Sequence, residues 1–172
     1  MELKRFDLLF VRGQSPLARL IEHVTDSPYS HVAIVLDEDH IVETDWRFPL
    51  RRNHNNYPTW LVDVYRYCGE FDGWQIEAMD AFIQEHIGTP YDFWQTITNG
   101  MYLLTGLPIR DAPNRMNCSE TVDRMFATAG IDLCPGVNGQ VTPANLARSG
   151  LLHLRYRGDL LLHNKTDSQL RA

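Results

Sequence analysis

R-M-N-C-S-E-T-V-D-R-M-F-A-T-A-G, Arg115 to Gly130, is the stretch from which the fold and the chemistry are read. Asn117 or Cys118 starts a helix, apolar residues recur at Val122, Met125, Phe126 and Ala129, and Gly130 supplies the stop. The pattern sets a thiol on the first turn of a helix. There the unpaired backbone N–H groups and the positive end of the helix dipole favour thiolate, the nucleophilic form, over thiol.

A nucleophile needs a base. Upstream, S-H-V-A-I-V-L-D-E-D-H-I-V-E-T covers residues 30–44, with His31 opening one apolar strand and Glu43 closing a second after the turn Asp37-Glu38-Asp39. Paired strands of a hairpin can bring these two side chains together, so Glu43 would hold the imidazole tautomer while the other ring nitrogen faces the thiol. The expectation is a Cys118, His31, Glu43 triad. Asp45 ranks behind Glu43 as the orienting carboxylate because it falls in the following loop. The bland alternatives are a buried cysteine acting as a small hydrophobe and a structural histidine. Against them stand the polar loop before Cys118, the Ser119-Glu120 pair after it, and the hairpin partner of His31.

Outward from these stretches, Phe6 to Val11 reads as a strand, and Ser15-Pro16 opens a helix with Leu17, Leu20, Ile21 and Val24 as its buried stripe. Tyr29 to Leu36 and His40 to Glu43 form the hairpin, central to the sheet. Asp45 to Thr59 is polar and Asn-rich and reads as a long surface loop bordering a site. Trp60 to Tyr67 is a strand. Asp72 caps a helix to about Ile87, Phe93 to Leu104 is another, and Thr105 to Asn117 is a loop. Thr142-Pro143 opens a short helix stopped by Gly150. Leu151 to Arg157 and Asp159 to His163 make a closing hairpin. The fold class is α+β, with one domain over residues 1–163 and a polar tail over 164–172.

Composition bounds the function. Among 172 residues, hydrophobic content of 44% and charged content of 22%, with four Trp, seven Tyr and seven Phe, argue for a folded globular chain over a disordered one. A formal charge of -6 and no basic cluster interleaved with aromatics argue against nucleic acid as a partner. Three cysteines match neither a zinc pattern nor a C-x-x-C motif, and the histidines fall at no ligand spacing, so no metal and no cofactor is expected. Cys68 and Cys134 have no base at suggestive spacing and read as structural. The N-terminus reads as neither a signal peptide nor a membrane span, so the chain is expected to be cytoplasmic as synthesised. Aromatics near such a site are more often core or rim residues than binders. Tyr91, Tyr29 and Trp46 are carried as substrate-binding candidates, with Tyr91, beside a Gly-x-Pro turn, singled out.

The order S-P-Y-S-H-V-A-I-V, I-V-E-T, G-T-P-Y-D-F, N-C-S-E-T-V, T-P-A-N-L resembles the circularly permuted branch of the NlpC-type, papain-like cysteine peptidases, the YiiX and YebB-like group. The likeness runs from Phe6 to about Gly158. N-C-S-E-T-V also looks like the N-C-E-H-F-V segment of lecithin retinol acyltransferase relatives. The resemblance implies a papain-like core, a small antiparallel sheet packed against the cysteine helix. It implies Cys118 as nucleophile, His31 as base, Glu43 as third member, and Tyr91 as a hydroxyl that holds substrate or oxyanion. It also implies amide hydrolysis, most often in peptidoglycan stem peptides, so a peptide or peptidoglycan-like substrate is the expected partner. Without a leader, a larger assembly such as a phage tail or secretion apparatus would carry the protein to the cell envelope, in a virion in the first case. Two other readings stand beside it: an acyltransferase or lipid-amide hydrolase using the same triad, and a non-catalytic component of an assembly.

Overall fold

The protein's structure, a computed structural model, describes residues 2–13, 19, 22–23, 26–45, 47–90, 116–137 and 141–158. Among them six strands form one antiparallel sheet: β1 (Leu8–Val11), β2 (His31–Val35), β3 (His40–Asp45), β4 (Phe48–His54), β5 (Val62–Tyr67) and β6 (Leu152–Arg157), in the order β4-β3-β2-β1-β5-β6. β1 and β2 are therefore the middle of the sheet. Their unbroken apolar runs follow from burial on both faces. Leu8, Phe10, Val32 and Ile34 enter one core, while Leu9, Ala33 and Val35 join Ile41 and Val64 in a smaller one on the opposite face.

The larger core is closed by two helices, α1 (Gly73–His86) and α2 (Cys118–Thr128), which pack on each other, with α2 also against β2. Gln75 Oε1 accepts from the Asp72 N–H at 3.0 Å at the start of α1. Asn117 caps α2, its Oδ1 accepting from the Glu120 N–H at 2.8 Å. Val122, Met125 and Phe126 then fall on one face and are wholly buried, each worth about 1.5–3 kcal/mol of transfer free energy. α2 stops at Gly130, whose φ of +72° suits a residue without a Cβ. A short helix, α3 (Pro143–Ala147), follows Thr142, whose Oγ1 accepts from the Asn145 N–H at 3.2 Å. Ser119 ties the first turn of α2 to the segment entering α3 by donating to the Val141 carbonyl at 2.8 Å.

Two buried carboxylates fix the middle of the sheet. Asp7 accepts both N–H groups of the Arg66 fork at 2.7 Å. Asp63 pairs with Arg12 and accepts from the Tyr29 hydroxyl at 2.6 Å and the Gly158 N–H at 2.9 Å.

The expected loop from Asp45 to Thr59 is largely a strand. Its segment F-P-L-R-R-N-H is β4, paired with β3 in the register Val42↔Arg52, Glu43↔Arg51 and Ile41↔Asn53. β4 is an edge strand, so Pro49 costs little there and the arginines face water, leaving Leu50 as its buried residue. Strand β5 starts later than Trp60 because Thr59–Leu61 form a 3-10 turn, with the Leu61 N–H bonded to the Pro58 carbonyl at 2.9 Å. β6 pairs with β5. The arm over 159–163, the helix over 93–104 and the tail lie outside the described residues, as does most of the helix after Ser15-Pro16.

Candidate active site

Cys118 is the first residue of α2 and only 6% exposed. The His31 imidazole and the backbone N–H groups of Val32 and Ser119 act electrostatically on its sulfur. Burial pushes the thiol up. The adjacent imidazolium and the two backbone donors outweigh it and hold Cys118 below the ordinary thiol value.

His31, the first residue of β2, points Nε2 at Glu43 Oε2, 3.6 Å away. Nδ1 is thus left for the thiol. The register Ile34↔Val42 and Val35↔Ile41, continued, makes His31 and Glu43 a diagonal pair on one face. Burial alone would depress the imidazole, but the Cys118 sulfur and then Glu43 raise it to about 10. Glu43 is buried, which favours its neutral form. His31, Asn53 and Tyr57 reverse that and hold it down at about 2.

Two residues that the sequence reading did not single out complete this arrangement. The Tyr57 hydroxyl donates to Glu43 Oε2 at 2.7 Å, and Asn53 Nδ2 donates to Oε1 at 2.9 Å. Burial and the Glu43 charge push the Tyr57 hydroxyl far above its usual value, so it stays a donor. The sequence signal for both was the Asn-rich N-H-N-N-Y run, read as a loop bordering a site. Asp45, the second-ranked carboxylate, instead binds Arg47, accepting from its N–H and Nε at 3.1 Å.

Tyr29 lies in the core, its hydroxyl committed to Asp63 and 3.3 Å from that of Tyr65, so it is not brought to the Cys118 site. Trp46 and Tyr91 fall outside the described residues. Cys134 is buried and its thiol is pushed up to about 12 by burial and the nearby Asp123 and Asp132. Cys68 is exposed, and although no base was legible near it, His153 Nδ1 lies 3.5 Å from its sulfur. Behind Glu43 opens a groove of about 410 Å³, lined in part by Glu43, Arg47, Phe48, Arg51, Asn53 and Tyr57. No helix among the described residues is long and apolar enough to cross a membrane.

No family model matches the chain, and no curated protein matches it. Among solved structures it is similar to the crystal structure of metalloprotein yiiX (DUF1105) from Escherichia coli O157:H7. The two are 17% identical, the match covers 91% of this chain and 98% of that one, and the TM-score is 0.68. At that identity the likeness is one of fold: the chain is a small α+β domain of YiiX-like architecture, as the motif order led us to expect.

Proposed function

We propose that the protein is a thiol hydrolase of amide bonds on a permuted papain-like core, with Cys118 as nucleophile, His31 as general base and acid, and Glu43 as the carboxylate that orients His31. The observation that carries this is the contact of a helix-first thiol with an imidazole whose far nitrogen faces a clamped carboxylate.

In this mechanism the Cys118 thiolate adds to an amide carbonyl carbon, and the charge that develops on oxygen is met by the Cys118 backbone N–H at the open end of α2. The imidazolium of His31 gives its proton to the departing amine as the C–N bond breaks, leaving a thioester. Water, deprotonated by His31, then cleaves the thioester and restores the thiolate. The lowered thiol and raised imidazole favour the charged nucleophile that this chemistry uses.

Peptide bonds of peptidoglycan stems are the substrate class that the motif resemblance implies. The metalloprotein designation belongs to yiiX. Here no group of three or more His, Cys, Asp or Glu among the described residues is disposed to hold a metal ion, and no step is routed through one. The test is digestion of purified cell walls. The protein should release amino-terminated fragments, and Cys118→Ala, with an unchanged circular dichroism spectrum, should release none. Equal release by the variant would remove the triad from consideration.

A further inference from the structure

The groove behind Glu43 bears two arginines, and their surroundings differ. Arg47 is paired with Asp45. Arg51 stands directly across from Glu43 in the β3–β4 register and forms a long ion pair with it, Nη2 to Oε1 at 3.9 Å, without a hydrogen bond. The hydrogen bonds to Glu43 come instead from Asn53 and Tyr57. The Arg51 guanidinium lies over the Phe48 ring at 3.6 Å, which supports its face, and it makes no hydrogen bond among the described residues. A flat, supported guanidinium at the wall of a groove, ion-paired only at long range and with no hydrogen bond on its in-plane N–H groups, is the geometry that receives a carboxylate in a two-pronged fashion.

From this we infer that the groove is a subsite for a carboxylate carried by the substrate, with Arg51 as its principal donor, so that the preferred substrate is an acidic peptide. The inference rests on the hydrolase reading for its link to catalysis. β4 lies two strand spacings from β2, roughly 10 Å, a distance that an extended peptide crosses in about three residues. The recognised carboxylate therefore sits a few residues from the bond at Cys118, on the side of Glu43 remote from His31.

The experiment measures binding in the Cys118→Ala background, where no hydrolysis interferes. The probes are fluorescein-labelled heptapeptides of Ala and Gly with one Glu at each position in turn, each matched to the same peptide with Gln. At least one Glu peptide should bind about tenfold more tightly than its Gln partner. Arg51→Gln in the same background should erase that preference. Arg52→Gln should keep it, because Arg52 removes the same charge from the same strand while pairing with Asp37 on the other side. Glu and Gln peptides binding alike, a preference that survives Arg51→Gln, or one lost equally in Arg52→Gln would each overturn the subsite. Because the readout is an affinity ratio, it stands or falls separately from wall digestion by the intact Cys118 protein.

Discussion

Tyr57 and His31 converge on one oxygen: Glu43 Oε2 accepts the Tyr57 hydroxyl at 2.7 Å and faces His31 Nε2 at 3.6 Å. The tyrosine holds the carboxylate in place for the histidine. Tyr57→Phe removes that clamp and one of the donors keeping Glu43 ionised at about 2. The expected outcome is a loss of roughly tenfold in kcat/KM, with the acid limb of the pH–rate profile shifted upward. Profiles superimposable with the parent would show that Tyr57 has no part in positioning.

His31 owes its raised titration first to the Cys118 sulfur and then to Glu43, against the pull of burial. In Cys118→Ala the larger favourable partner is gone, so the midpoint should fall below about 10. Histidine chemical shifts followed by NMR across pH 5 to 11 read this directly; a midpoint unmoved by the substitution would mean that thiol and imidazole do not interact.

Both ends of the pH scale should weaken the fold. Glu43, held at about 2 against an ordinary 4.5, contributes stability that is complete above pH 4.5 and lost as pH falls toward 2. His31, raised to about 10 from 6.5, contributes stability complete below 6.5 and lost as pH rises through about 10. Urea midpoints should drop on both sides, and Glu43→Gln should flatten the acid side.

Alkylation separates the three thiols. Cys68 is exposed and would react first, so the measurement belongs in a Cys68→Ser background. There iodoacetamide should modify Cys118 at pH values below the ordinary thiol range, while Cys134, likewise buried but with its thiol pushed up to about 12, stays unmodified. Modification should abolish hydrolysis, and EDTA should leave it unchanged. Loss of activity on chelation would require a metal in the reaction.

Gly158 sits where no side chain fits: a Cβ there would approach the Thr59 and Val62 carbonyl oxygens at 2.4 and 2.5 Å. Its N–H also holds Asp63. Gly158→Ala should cost about 1–3 kcal/mol or more of stability, measured by urea unfolding, without altering the pH dependence of the proposed hydrolysis by the folded protein. A variant as stable as the parent would mean that β6 can shift away from the 3-10 turn freely.

The parts of the fold that the residues made legible share one property: the signal is local. The N-cap, periodic apolar residues and terminal glycine of α2 lie within one short stretch, and the His31–Glu43 hairpin is bracketed by its own turn. β4 escaped notice because an edge strand buries one residue, Leu50, and otherwise carries the Pro, Arg and Asn of a loop. Tyr57 and Asn53 acquire their roles only through long-range pairing to β3, which no spacing rule encodes. Tyr29 was carried as a substrate-binding candidate, yet it lies in the core. Tyr29 precedes β2 and so escapes the alternation that aims His31, and its hydroxyl is committed to Asp63.

The five strands from β1 to β5, with imidazole and carboxylate already on neighbouring strands, all precede the cysteine helix along the chain. As the polypeptide leaves the ribosome, the sheet can therefore zip up first, and the sulfur arrives later at a prepared slot. Until that docking the thiol lacks the imidazole that favours its ionised form, so on the proposed hydrolase reading assembly itself is the step that switches the nucleophile on.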